Sequence, residues 1–119
     1  MKYIITENQL DRFISKWLSK EYADLEIYDH DNQPWCLYVD KDGEVIFLYQ
    51  TKDNELYVSK DVMKFLIDMF SIDVEQTKDI LREWFEKYTG LNSYKVLSWD
   101  FFDADWKKIV RWETKKRLS

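Results

Sequence analysis

The chain has 119 residues, 45% hydrophobic and 34% charged, with a formal net charge of −5. That length suits one domain with a real core that needs neither disulfide nor metal. Two glycines, one proline, one cysteine and one histidine exclude a glycine-rich phosphate loop, an internal disulfide and a two-histidine metal motif.

The charge is unevenly placed. Residues 1–106 carry 12 basic and 22 acidic side chains, whereas residues 107–119 carry six basic and one acidic. The body should repel nucleic acid and bare anionic membrane, and only the tail can attract them. No apolar run approaches the roughly 20 residues that cross a bilayer. Met1–Ile5 is too short for a secretory signal and runs straight into a helix start, so residence in the cytoplasm is the expectation.

In chain order, Thr6-Glu7-Asn8-Gln9 has the form of a capping box. Leu10, Phe13, Ile14, Trp17 and Leu18 then recur at helical spacing, which predicts an amphipathic helix over 7–21. Its stripe is expected to pack on the protein's own sheet. Leu25, Ile27 and Tyr28 suit a short strand, followed by the polar loop Asp29-His30-Asp31-Asn32-Gln33-Pro34.

Three apolar runs come next: Trp35–Val39, Val45–Tyr49 and Leu56–Val58. Asp42-Gly43 and Asp53-Asn54 separate them, and both pairs suit tight turns because Gly and Asn enter the left-handed region. The runs predict an antiparallel meander. The middle run is continuously apolar, which suits a central strand covered on both faces. The third alternates, with Leu56 and Val58 on one face and Tyr57 on the other. Cys36 lies in the first run and is expected to be a buried, inert thiol.

Ser59 has the character of a helix N-cap, and Val62, Phe65, Leu66, Met69 and Phe70 predict a helix over 60–70. Asp73 is a second cap, with Gln76 three residues on. Val74, Thr77, Leu81, Trp84, Phe85 and Tyr88 form the next stripe, with Ile80 beside it. Gly90 stands where a C-cap glycine belongs, and Lys87 lies in the last turn, as the helix dipole prefers. Residues 94–99 read as extended. Residues 106–114 read either as a strand or as a helix capped by Asp103. The strand reading, with a hairpin pairing 94–101 with 106–114, is preferred. The fold class is therefore α+β: one domain over 1–119, an antiparallel meander packed against about three amphipathic helices.

The opening Met1-Lys2-Tyr3-Ile4-Ile5-Thr6-Glu7-Asn8-Gln9 resembles the start of small uncharacterised proteins of marine phages and metagenomes. Their helix after a strand–turn–strand block resembles Ile80–Tyr88 here. The resemblance implies a phage origin, with host cytoplasm or virion as the location, and assigns no catalytic residue.

Candidate chemistry is sparse. Asp29, His30 and Asp31 are adjacent, but three successive residues of an extended loop cannot all face one ion. Asp40-Lys41-Asp42-Gly43-Glu44 echoes part of a calcium loop, yet a strand resumes at Val45 and a hairpin turn accounts for it. No serine is flanked by nucleophile-elbow glycines. No catalytic, cofactor or metal residues are assigned, and a non-enzymatic protein–protein interaction module is the leading expectation, on the grounds of six Trp, eight Tyr and seven Phe and polarised charge. The tail supplies the candidate interaction residues Trp106, Lys107, Lys108, Arg111, Trp112, Lys115, Lys116 and Arg117. Basic and aromatic side chains so mixed can stack on bases and neutralise phosphates, which makes a nucleic-acid-binding accessory protein the first alternative. The tail can also pair with the acidic body of a second copy, giving a homo-oligomer. An acidic mimic of DNA that occupies a host protein is the second alternative.

Overall fold

A computed structural model describes residues 7–99 and 114–117. In chain order the elements are α1 (Glu7–Glu21), β1 (Glu26–His30), β2 (Trp35–Val39), β3 (Val45–Gln50), β4 (Glu55–Ser59), α2 (Lys60–Phe70), α3 (Val74–Thr89), β5 (Lys95–Trp99) and β6 (Thr114–Lys116). The six strands form one sheet in the order β5-β4-β3-β2-β1-β6. The α+β single-domain expectation holds, with three helices against one sheet.

β1 to β4 form an antiparallel meander. Gly43 closes the β2–β3 turn at φ 82°, and Asn54 closes the β3–β4 turn at φ 53°. The Asp40 carboxylate is occupied by its own turn: its Oδ1 accepts from the backbone N–H of Asp42 and of Glu44, both at 2.9 Å. This is an Asx-type turn, as a hairpin requires.

The unbroken apolar run of β3 has a geometric cause. Tyr38 pairs with Phe47, but Val39 pairs with Val45, so Ile46 is an extra residue in a β-bulge. The bulge breaks the two-residue alternation. Ile46, Phe47 and Tyr49 join the larger core beneath the helices, whereas Val45 and Leu48 join a second cluster with Leu37 and Val39 on the other face. β3 and β2 are thus buried on both faces, as a central strand should be.

The larger core is where the helices meet the sheet. α1 contributes Ile14 and Leu18, α2 contributes Val62, Met63 and Leu66, and α3 contributes Ile80, Leu81, Trp84 and Phe85. Phe85 is fully buried among Tyr38, Phe47 and Tyr49, with ring centroids 5.2, 5.6 and 5.5 Å away. Trp84 ties α3 to α1, its indole N–H donating to the Ser19 hydroxyl at 2.9 Å. Cys36 is a buried free thiol, and burial raises its pKa. Asp73 caps α3, accepting from the Gln76 N–H at 2.7 Å, and Gly90 ends it at φ 76°.

The structure departs from the sequence-based expectations at three places. Ser59 occupies the N-cap position of α2, but its side chain makes no capping bond; it is buried at the end of β4, where strand and helix join without a loop. Asp29 and His30 end β1 rather than lying in a loop. The Nδ1 of His30 accepts from the N–H groups of Asn32 (3.0 Å) and Gln33 (2.9 Å), which organises the turn into β2.

The third concerns the C-terminal stretch: the hairpin expected between 94–101 and 106–114 lies, apart from 94–99 and Thr114, outside the described residues. Residues 95–99 are extended, but β5 pairs in parallel with β4. A parallel neighbour needs a long crossover, and α2 with α3 supplies it. Thr114–Lys116 pairs instead with β1, on the opposite edge. β1 presents Glu26 and Asp29 there, and they meet Lys116 and Arg117. Opposite charge favours that edge over β5, which carries Lys95. Thr6 of the capping box, and residues 106–113 of the strand-or-helix alternative, lie outside the described residues.

Candidate interaction surface

The three helical stripes are wider than the sheet can cover. On α1 the inner residues Ile14 and Leu18 are fully buried, but Phe13 is 65% exposed. On α2 Val62, Met63 and Leu66 are buried, but Phe65 is 46% and Met69 55% exposed. The outer rows meet in a seam. Trp17 stacks on Phe65 with ring centroids 5.2 Å apart, and Phe13 lies edge-on to Phe70 at 6.3 Å. Trp17 also meets Phe70 edge-on at 6.4 Å. Trp17 thus bridges Phe65 and Phe70 of α2 from α1.

Charges flank this apolar strip unequally. Lys16 and Lys20 are exposed on α1, three residues on from Phe13 and Trp17 respectively. Asp61 and Asp68 are exposed on α2, four residues before and three after Phe65. Such spacings place each charge on the same helix face as its aromatic neighbour. Among the described residues none of these four is in an ion pair. Lys60 and Lys64 are exposed on α2 as well, and Arg12 on α1, so α2 carries both signs.

The basic tail is positioned differently. Lys115, Lys116 and Arg117 stand at the β6 edge, and Trp106, Lys107, Lys108, Arg111 and Trp112 lie outside the described residues. Lys116 Nζ is 2.8 Å from Glu26 Oε1. Its hydrogen bond, with one from the Tyr28 hydroxyl, holds the Glu26 carboxyl below the usual carboxylate range. Arg117 grips both oxygens of Asp29 in a bidentate pair. Lys115 is exposed and makes no ion pair among the described residues. Two of these three cations therefore already have anionic partners.

Other surfaces offer less. Trp35, Leu48, Gln50, Tyr57 and Trp99 line a shallow cleft of about 180 Å³ on the face away from the helices. Asp11, Asp73, Glu75, Asp79 and Glu83 gather near the start of α3. Lys78 pairs with Glu75 there and Arg82 with Asp79, which interrupts the negative run. Among the described residues no three His, Cys, Asp or Glu side chains are grouped to hold a metal ion, and no helix is long and apolar enough to cross a membrane.

Sequence reasoning placed the stripes, expected that of α1 to pack on the sheet, and put the candidate interaction residues in the tail instead. The signal that separates Phe13 from Ile14 is the flanking pattern: Phe13 has lysines at i+3 and i+7, whereas Ile14 has Leu18 at i+4. No protein-family model, curated protein or solved structure matches the chain.

Proposed function

We propose that this chain is a non-enzymatic protein–protein interaction module that works through the aromatic strip on α1 and α2. The observation that carries the reading is the exposure of Phe13, Phe65 and Met69 side by side on two helices. Ordering large apolar side chains in water lacks the gain that burial gives, and a partner's apolar surface would supply it. Aromatic side chains in such a setting are favoured binding anchors. A cytoplasmic location, of the host for a phage-encoded chain, accords with this reading. The nucleic-acid alternative draws less support, because Lys116 and Arg117 are engaged by Glu26 and Asp29.

The test is a tagged capture from source or host lysate, with and without nuclease, using three proteins. These are the wild type, a strip variant (Phe13→Ser with Met69→Ser) and a tail variant (Lys115→Gln with Lys116→Gln). A discrete partner that survives nuclease and is lost at least tenfold with the strip variant alone is the expected outcome. Recovery that follows the tail variant and disappears with nuclease transfers the function to the basic tail.

A further inference from the structure

We infer that residues 100–113 of this chain occupy the sheet face turned away from the helices, crossing it from β5 to β6 and lying on Leu37 and Leu48. That face carries a burial which the described residues do not account for. Leu37 has 0% of its surface exposed, Val39 2%, and Val45 and Leu48 6% each. They form the second cluster, to which no helix contributes. The described hydrophobic side chains packed against it, Tyr28, Trp35 and Tyr57, belong to the same sheet. Side chains stand roughly perpendicular to a sheet, so neighbours within it cover their flanks and leave their tips open. Full burial of Leu37 therefore requires a further layer above it.

Chain topology selects the occupant. Residues 100–113 join Trp99, the last residue of β5, to Thr114, the first of β6, and these strands are the two edges of the sheet. Five strand spacings set those edges about 24 Å apart. Four successive antiparallel pairings from β4 to β6 give β6 the sense of β4, and β5 shares that sense. The chain leaves β5 at one end of the sheet and enters β6 towards the other, a crossover between strands of like direction. Such crossovers are right-handed in about 98% of cases. The step from β4 to β5 runs one way across the sheet, with α2 and α3 on the helical face, and the step from β5 to β6 runs the other way. Two right-handed crossovers in opposite directions lie on opposite faces, so residues 100–113 take the face without helices. Residues 1–6 precede α1, which lies on the helical face, and residues 118 and 119 are only a pair.

The sequence of the segment suits that place. At helical spacing Phe102, Trp106, Ile109 and Val110 share one side, with Lys107, Lys108 and Arg111 on the other. A helix of about ten residues spans about 15 Å, and four further residues add up to about 13 Å, enough for the crossing. Trp106 then belongs to the core and is withdrawn from any nucleic acid, whereas the three cations face solvent.

Nuclear Overhauser contacts in the full-length wild type, with leucine, valine and isoleucine methyls labelled, test this. Cross-peaks from the Leu37 and Leu48 methyls to the Trp106 ring and to the Ile109 or Val110 methyls are expected. In a mixture of labelled and unlabelled chains, filtered for contacts between molecules, the same peaks should be missing. Their absence from the assigned spectrum of the wild type overturns the inference. So does their persistence in the filtered spectrum, which makes a second copy the cover. Contacts from Trp106 to Phe13 or Phe65 in their stead set the segment on the helical strip and overturn it as well. Urea unfolding supplies a separate check. Trp106→Ala and Ile109→Ala should each lower the folded-to-unfolded ratio by roughly thirtyfold or more, while Lys108→Gln changes it by less than about threefold. A Trp106→Ala variant as stable as Lys108→Gln overturns the inference.

Discussion

Tyr22 and Tyr38 show what burial does to a single ionisable group. Tyr22 touches Trp17, Phe47 and Trp84 edge-on, and Tyr38 is packed between Phe47 and Phe85. Burial pushes the Tyr22 phenol up to about 12, with Glu21 and Asp40 adding to the rise, and burial raises Tyr38 as well. In the unfolded chain both ionise near 10. Stability from these two groups is therefore complete below pH 10 and lost as pH rises towards and through the folded values. A spectrophotometric titration at 295 nm should show a late tyrosine step coinciding with loss of far-ultraviolet ellipticity. A reversible step near pH 10 with all eight tyrosines and no unfolding would contradict that packing. Phe85 makes the same point for an apolar group. Truncation in Phe85→Ala removes the ring that three others enclose, at a cost of about 3–5 kcal/mol in urea unfolding. Phe13→Ala, on the exposed strip, should cost less than about 1 kcal/mol.

Helix ends decide where α2 and α3 stop, and they stop differently. Both C-caps are left-handed: Gly90 at φ 76° and Ser71 at φ 52°. An added Cβ at Gly90 would meet nothing within 4 Å, so the cost of Gly90→Ala is conformational alone, about 1 kcal/mol. Ser71→Gly removes the same penalty and is expected to stabilise by about 0.5–1 kcal/mol. Urea midpoints moving in opposite directions for the two variants would establish the point; a shift of the same sign would refute it. Elements such as these were legible before the fold was known. Asp73, Gly90 and the Asp42-Gly43 turn are local signals, read by local physics. Ser59 was misread because a serine before a helix looks like a cap even when the preceding strand buries its side chain. The width of each stripe was also hidden. Periodicity marks Phe13 and Ile14 alike as apolar, and only the tertiary packing decides that Ile14 is covered and Phe13 is not.

At the scale of the molecule, the least legible feature was the pairing of β6 with β1, since nothing local links Tyr28 to Lys116, their partners in register. Charge was the available clue, because Glu26 and Asp29 are matched by Lys116 and Arg117. That match is pH-sensitive. The Glu26 carboxyl titrates below its ordinary 4.5, so its contribution is present above that value and lost as pH falls through the lowered one. Exchange protection of the Arg117 amide, which donates to the Ile27 carbonyl at 2.6 Å, should fall several-fold between pH 6 and 3 after correction for intrinsic rates. Lys116→Gln should flatten that dependence; an unchanged profile would show that the backbone ladder alone holds β6. The same pairing has a consequence during synthesis. Tyr28 and Lys116 are 88 residues apart, which a ribosome covers in about 4–18 s at roughly 5–20 residues per second. From the completion of β4 until β6 is made, the outer edge of β1 stands open beside a finished meander, a template for strand addition by any neighbouring nascent chain. Glu26 and Asp29, later neutralised by β6, meanwhile keep that edge negatively charged. Chains stacked on one polysome would repel each other there until their own Lys116 and Arg117 arrive.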